Sequence, residues 1–207
     1  MRTRAALLVA PLLLLAGCAA TPVPAAGPVV PRTPAELPLH AGWPDGLRSP
    51  LPVTMDLPSC EDGSGPPPNR PGADRLSAHW GTRARGRQLT TYDDRAEAAA
   101  AARRLASYYR RCPVTTSREL PWTTTTTVRP DTVGDESWTV SLRLDIEGAP
   151  AGATTLLVVR VGSRVLVDSA GTTFGAGRTA AAQVTAVVGD QRRRAAQLVT
   201  AMEDLPG

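Results

Sequence analysis

Along the chain, apolar and polar positions change period several times, and each change predicts an element. Residues 137–146 (SWTVSLRLDI) alternate strictly. Trp138, Val140, Leu142, Leu144 and Ile146 point one way, and Ser137, Thr139, Ser141, Arg143 and Asp145 the other, which predicts a half-buried strand. Residues 154–161 (TTLLVVRV) and 164–170 (RVLVDSA) are nearly continuously apolar and are separated by Gly162-Ser163. Gly-X between two such runs predicts a type II′ hairpin, and the apolar content places the pair centrally in a sheet. Residues 76–80 and 87–92 are two shorter candidate strands, with Gly81 and Gly86 between them. In LPWTTTTTVRP, five consecutive threonines disfavour helix, because branching at Cβ restricts χ1. This segment reads as a strand with one face buried, the alternative being an exposed, O-glycosylated loop.

Two stretches carry helical period. In DDRAEAAAAARRLASYYRRCP, residues Ala98, Ala101, Ala102, Leu105, Tyr108, Tyr109 and Cys112 form one stripe. Asp94 with Glu97 three residues on has capping-box spacing, Arg110 and Arg111 suit the C-terminal end of the helix dipole, and Pro113 stops the helix. Residues 179–188 predict a second helix. Gly189 is expected to interrupt it and Asp190 to cap a third, with Ala195, Leu198, Val199 and Met202 inward and Arg192, Arg193 and Arg194 outward. The expected fold is α+β: an antiparallel sheet of about six strands with helices packed on one face.

The N-terminus departs from these periods. Arg2 and Arg4 precede an apolar run over residues 5–16, too short to span a bilayer but of the length of a signal-peptide core. The run ends in Leu15-Ala16-Gly17-Cys18, which resembles the lipobox of bacterial lipoproteins. That resemblance implies cleavage before Cys18, a lipid on its sulfur, and a chain tied to the membrane on the extracytoplasmic side. Residues 19–52 hold nine prolines and no apolar period, so residues 18–52 are expected to be the lipidated cysteine and a semi-rigid tether. Packing of residues 40–51 against the domain is the alternative, with Trp43 as a candidate anchor. The domain is expected over residues 53–207.

Composition and charge narrow the chemistry. The formal net charge of +4 falls to +2 once residues 1–17 are removed. That balance, and the absence of aromatics around Arg192–Arg194, speaks against nucleic acid as a partner. With Cys18 assigned to lipid, Cys60 and Cys112 remain, and their compartment permits a disulfide. Two buried free thiols are the alternative. His40 and His79 are far apart, so neither a metal cluster nor a cysteine–histidine pair is expected. No G-x-S-x-G, HExxH or P-loop occurs, and no cofactor is expected. Asp131, Asp135 and Glu136 gather around one turn, either as a general acid–base pair or as a solvated turn in which Asp135 bonds the backbone. Tyr108 and Tyr109 are candidates to line a ligand cleft, the alternative being core.

The helix ending in Arg111-Cys112-Pro113, the segments VGDESWTVSLRL and TTLLVVRVGSRVLVDS, and the terminal helix together resemble the extracellular sensor domain of mycobacterial PknH-type Ser/Thr kinases. That domain also stands alone in actinobacterial lipoproteins. The resemblance covers residues 54–205. It implies a central antiparallel sheet, a cleft for an unidentified ligand, and no enzymatic activity. The kinase relatives carry two disulfides in this domain, whereas this chain has cysteines for one, Cys60 with Cys112. The expectation is a non-catalytic, lipid-anchored sensor or ligand-binding module. A cell-envelope hydrolase and a structural assembly lipoprotein are the alternatives.

Overall fold

The computed structural model describes residues 37–39, 41, 47–48, 57–59, 75–79, 85–116, 120–175 and 177–205; for 47–48 and 75–79 it describes strand pairing alone. Among the described residues, eight strands form one antiparallel sheet. In chain order they are β1 (Leu47–Arg48), β2 (Arg75–His79), β3 (Arg85–Thr91), β4 (Val114–Thr116), β5 (Trp122–Asp131), β6 (Glu136–Ile146), β7 (Ala149–Val161) and β8 (Arg164–Thr173). Across the sheet the order is β1-β2-β3-β8-β7-β6-β5-β4, so the most apolar pair, β7 and β8, sits at the centre as expected. Six strands run five residues or longer, and β1 and β4 are short edge pieces. The α+β class and the antiparallel sheet agree with the sequence reading.

The placement of the helices on one face does not. Helix α1 (Arg95–Arg110) and helix α2 (Ala180–Glu203) cover opposite faces. Under α1 lie Trp138, Val140 and Leu142 of β6, Leu156 and Val158 of β7, and Val165 and Val167 of β8. Under α2 lie Leu157, Val159 and Val161 of β7, Leu166 of β8 and Leu89 of β3. Successive strand residues point to opposite faces, so a continuously apolar strand needs a cover on each side. The continuously apolar run in β7 is thus what requires a helical layer on each face.

Local chemistry explains the element ends. Asp94 accepts the amide of Glu97 at 2.7 Å and caps α1, while the Glu97 carboxylate accepts the amide of Asp93 at 3.3 Å. Thr179 accepts the amide of Ala182 at 3.2 Å and caps α2. Gly162 takes φ of +57° in the two-residue turn joining β7 to β8, as its place in the turn requires. A second two-residue turn, Glu147-Gly148 with φ of +53° and +78°, joins β6 to β7. It carries β7 back to Ala149, ahead of the strand read from residue 154. The threonine run is strand, not loop: Thr123 to Thr127 pair along β6. Pro130 lies beyond the reach of β4, on the outer edge, where its missing amide costs no ladder bond.

Helix α2 is one helix of 24 residues, not two. Gly189 costs roughly 1 kcal/mol in a helix interior. Against this, Val188, Gln191, Ala195, Leu198, Val199 and Met202 make one buried stripe that continues across it. Asp190 caps nothing; its carboxylate meets Arg194 at 2.6 Å and Arg193 at 3.3 Å, one turn on.

The domain also starts earlier than residue 53. Leu37 and Leu39 are 4% and 0% exposed and belong to the core beneath α2. The Arg87 guanidinium donates to the carbonyl oxygens of Leu39 at 3.1 Å and Ala41 at 2.6 Å. Strand β1 pairs with β2. Part of the expected tether is thus a strap built into the second core.

Candidate functional site

The sequence-named residues are placed as follows. Cys18 and Cys60 lie outside the described residues. Cys112 follows the last turn of α1, half-buried against the first core, and is disulfide-bonded. Tyr108 and Tyr109 are 5% and 1% exposed and meet edge to face, ring centroids 5.1 Å apart. They are core residues and line none of the described cavities. The Tyr109 hydroxyl donates to the carbonyl oxygen of Pro58 at 3.0 Å, and burial pushes its pKa far above the ordinary phenol range. Leu57 packs on the same core. Residues 57 and 58 are therefore held at the C-terminal end of α1, the end that carries Cys112.

The acids around residues 131–136 are each committed to a partner. Asp131 accepts from Thr139 Oγ1 at 2.5 Å and from Arg192 at 2.7 Å. Burial alone would raise its pKa, but these bonds and the Thr132 amide outweigh it and hold the carboxyl below the usual range. Asp135 accepts the Gly162 amide and Arg160 Nη1, both at 2.9 Å, in keeping with the turn reading. Glu136 meets Arg103 at 2.7 Å and Arg160 at 3.7 Å. Asp135 and Glu136 thus share Arg160, whereas Asp131 is held by Arg192. The basic run of α2 is also engaged: Arg192 on Asp131, and Arg193 and Arg194 on Asp190. No group of three or more metal-ligating side chains occurs among the described residues.

Two features carry site-like geometry that the sequence reading missed. The first is a buried polar network under α2. Arg87 Nε lies 2.5 Å from Asp168 Oδ2, and both residues are about fully buried. Gln191 donates to Asp168 Oδ1 at 3.2 Å and to the carbonyl oxygens of Asp168 and Thr155, and it accepts from Thr155 Oγ1 at 2.7 Å. Burial pushes the Asp168 carboxyl up, opposed by Arg87 and by Gln191. The network fixes α2, β3, β7, β8 and the strap to one another. Its sequence signal was an aspartate inside the apolar run RVLVDSA, since an acid buried in a central strand requires a buried base.

The second is an open cavity of about 930 Å³ at the end of the sheet away from the Gly162-Ser163 turn. Among the described residues, the core under α1 takes in Trp138, Val140 and Leu142 of β6 but not Leu144 or Ile146. Leu142, Leu144 and Ile146 form an aliphatic floor, and Ile146 is 45% exposed. Cross-strand pairing sets Thr124 and Gly152 beside Leu144, and Thr154 beside Leu142. Pro58, held by Tyr109, stands on the wall. The β3–β8 register begins at Arg85–Ala170, and Gly171, Thr172 and Thr173 run on past it. The cavity continues round that edge to Arg85 and Val187. A Cβ at Gly152 would stand 2.7 Å from the Thr172 carbonyl oxygen, so a side chain there would spread β7 from β8 in the cavity wall.

Comparison of the chain with protein-family models, curated proteins and solved structures gave no match.

Proposed function

We propose that the protein is a non-catalytic, lipid-anchored ligand-binding or sensor module on the extracytoplasmic side of the membrane. The observation that carries the reading is the 930 Å³ cavity. Its size falls within the range of small-molecule sites, and its lining is aliphatic with a few polar groups, the usual composition of such sites. Its described lining residues include no carboxylate, histidine or cysteine, which supports binding over hydrolysis. The likeness to PknH-type sensor domains supports the same reading.

The anchor rests on the leader and on Leu15-Ala16-Gly17-Cys18. No helix among the described residues is long and apolar enough to cross a membrane. The staple pairs Cys60 with Cys112: Leu57 and Pro58 already lie on the α1 core beside Cys112. Such a bond would hold the wall of the cavity in place.

The test is native mass spectrometry of the chain purified from its host's envelope, with Cys18→Ala as the anchor control. A reproducible co-purified ligand, and loss of membrane attachment in Cys18→Ala, are expected. A ligand-free protein that also fails to bind envelope extracts would overturn the binding reading. Unchanged membrane attachment of Cys18→Ala would overturn the anchor.

A further inference from the structure

We infer that the cavity takes an uncharged amphiphile, an aliphatic chain with an ester or hydroxyl head. The chain lies on the leucine floor and the head meets threonine hydroxyls. This rests on the ligand-binding reading above.

Strand register sets two cross-strand rows on one face of the sheet. Thr124, Leu144, Gly152 and Thr173 make the first, across β5, β6, β7 and β8. Leu142, Thr154 and Gly171 make the second, across β6, β7 and β8. All seven line the cavity. Gly152 and Gly171 are diagonal neighbours, so the missing side chains leave a furrow beside the two leucines. Four strands spaced by about 4.8 Å make the first row about 14 Å long, room for an extended chain of modest length.

The furrow is amphipathic and uncharged. Leu142, Leu144 and Ile146 offer branched aliphatic surface. Among the described lining residues none is aromatic, so there is no platform on which a sugar ring or a base would stack. The hydroxyls of Thr124, Thr154 and Thr173 make no hydrogen bond among the described residues, so each has a donor and acceptor to offer a guest. Such a lining suits an amphiphile better than a wholly apolar or wholly polar molecule.

The one charged residue among the described lining residues, Arg85, stands on the other face. It pairs with Ala170, and Ala170 pairs with Thr155, the neighbour of Thr154. Successive strand residues point to opposite faces, so Arg85 points away from the leucine floor. It is also engaged, with Asp190 at 3.8 Å and in a further interaction. An ionised head in the furrow would lose water with no described counter-charge beside it. An ester or hydroxyl head is satisfied there by the threonines.

The test titrates a Cys18→Ser chain, free of detergent, with 1-decanoylglycerol, decanoate, decane and maltohexaose, followed by calorimetry. Expected is saturable one-to-one binding of decanoylglycerol, with decane about tenfold weaker and decanoate no tighter than decanoylglycerol. Arg85→Gln should change none of these. Thr124→Val with Thr154→Val should weaken decanoylglycerol about tenfold and leave decane unmoved, a split that a merely structural role would not produce. Thr154→Trp, which fills the furrow, should weaken all aliphatic binding at least about tenfold. Ile146→Glu starts from an exposed position, so it alters the floor with little risk to folding, and it should do the same. Aliphatic binding indifferent to both floor variants overturns the site. Decanoate binding tighter than decanoylglycerol, or decane binding as tightly, overturns the uncharged head. Equal loss of decanoylglycerol and decane in the double valine variant, or loss of neither, overturns the role of the hydroxyls. Binding of maltohexaose, or of a co-purified ligand with no aliphatic chain, lost in Thr154→Trp, overturns the ligand class and leaves the ligand-binding reading standing. No binding of any probe, with nothing co-purified, overturns both.

Discussion

Leu39 tests whether the proline-rich N-terminal region is only a tether. Its side chain is fully buried beneath α2, among Leu89, Leu166, Leu198 and Met202. Leu39→Ala removes that filling without touching the Arg87 bond, which uses the backbone carbonyl. Deleting a buried leucine side chain costs about 2–5 kcal/mol, the spread reflecting how far the site collapses. At this chain length each kcal/mol moves Tm by about 2–4 °C, so the expected drop is on the order of 4–20 °C. Urea denaturation and calorimetry of the Cys18→Ser chain measure it. Pro38→Ala is the control: Pro38 is exposed, and its effect should stay within about 0.5 kcal/mol. A passive tether predicts no difference between the two variants, and equal stabilities within that margin would refute the strap. The latch has its own signature. Arg87→Met strands the Asp168 carboxylate and should cost about 3–5 kcal/mol, whereas Arg87→Met with Asp168→Leu should recover much of the loss.

The other expectations concern single groups. Asp131 has a depressed pKa in the folded state, so its contribution is present above the unfolded value of about 3.9 and is lost as pH falls through the folded value. Asp131→Asn should therefore lower stability by about 1 kcal/mol at neutral pH and flatten the acid limb of stability against pH; a limb unchanged in shape would count against it. A Cys60–Cys112 bond closes about 50 residues and is worth roughly 4 kcal/mol before strain. Reduction of the Cys18→Ser chain should add the mass of two hydrogens, and Cys60→Ala should lower the urea midpoint; a mass unmoved by reductant would remove the staple. Gly134→Ala should cost roughly 2–5 kcal/mol, because φ is +69° and the new Cβ would meet Val159 Cγ1 at 2.7 Å and the Arg160 carbonyl oxygen at 2.8 Å. Gly148→Ala, at φ of +78° with nothing within 4 Å, should cost only about 1–2 kcal/mol. Equal effects at the two glycines would refute the crowding argument.

What was legible in the sequence was what period and turn chemistry report. The alternation of β6, the Gly162-Ser163 turn, the cap of α1 at Asp94 and its stop at Pro113 are local events, set by residues within a few positions of one another. The misses are cases where tertiary structure outweighed a local preference. Gly189 sits inside α2 because burial of the stripe on either side exceeds the helix cost of one glycine. Glu147 adopts positive φ, uncommon for a glutamate, because β6 and β7 pair right up to Ile146 and Ala149 and leave only two residues to turn. The strap escaped notice because Leu37 and Leu39 alternate over only three residues, on either side of Pro38. That is too short for a periodic signal, although it buries two leucines.

The site was less legible than the fold, for a physical reason. Among the described residues, the cavity lies beyond the part of β6 that packs under α1, and helix crossing angle and strand length beyond a helix leave no mark in local sequence. Leu144 and Ile146 read identically to Trp138, Val140 and Leu142 along β6; yet only the latter three join the core under α1, Leu142 standing at the boundary where the cavity begins. Tyr108 and Tyr109 drew attention as aromatics, yet they serve the cavity at one remove: Tyr109 holds Pro58, and Pro58 stands on its wall. The C-terminal end of α1 thus links three features. It carries the disulfide cysteine Cys112, it seats residues 57 and 58, and it marks where the sheet becomes exposed. A change that loosens this helix end should alter the cavity wall before it unfolds the domain. The strap and the Arg87–Asp168 latch lie on the other face of the sheet, where they hold α2 and with it the Arg85 end of the same cavity.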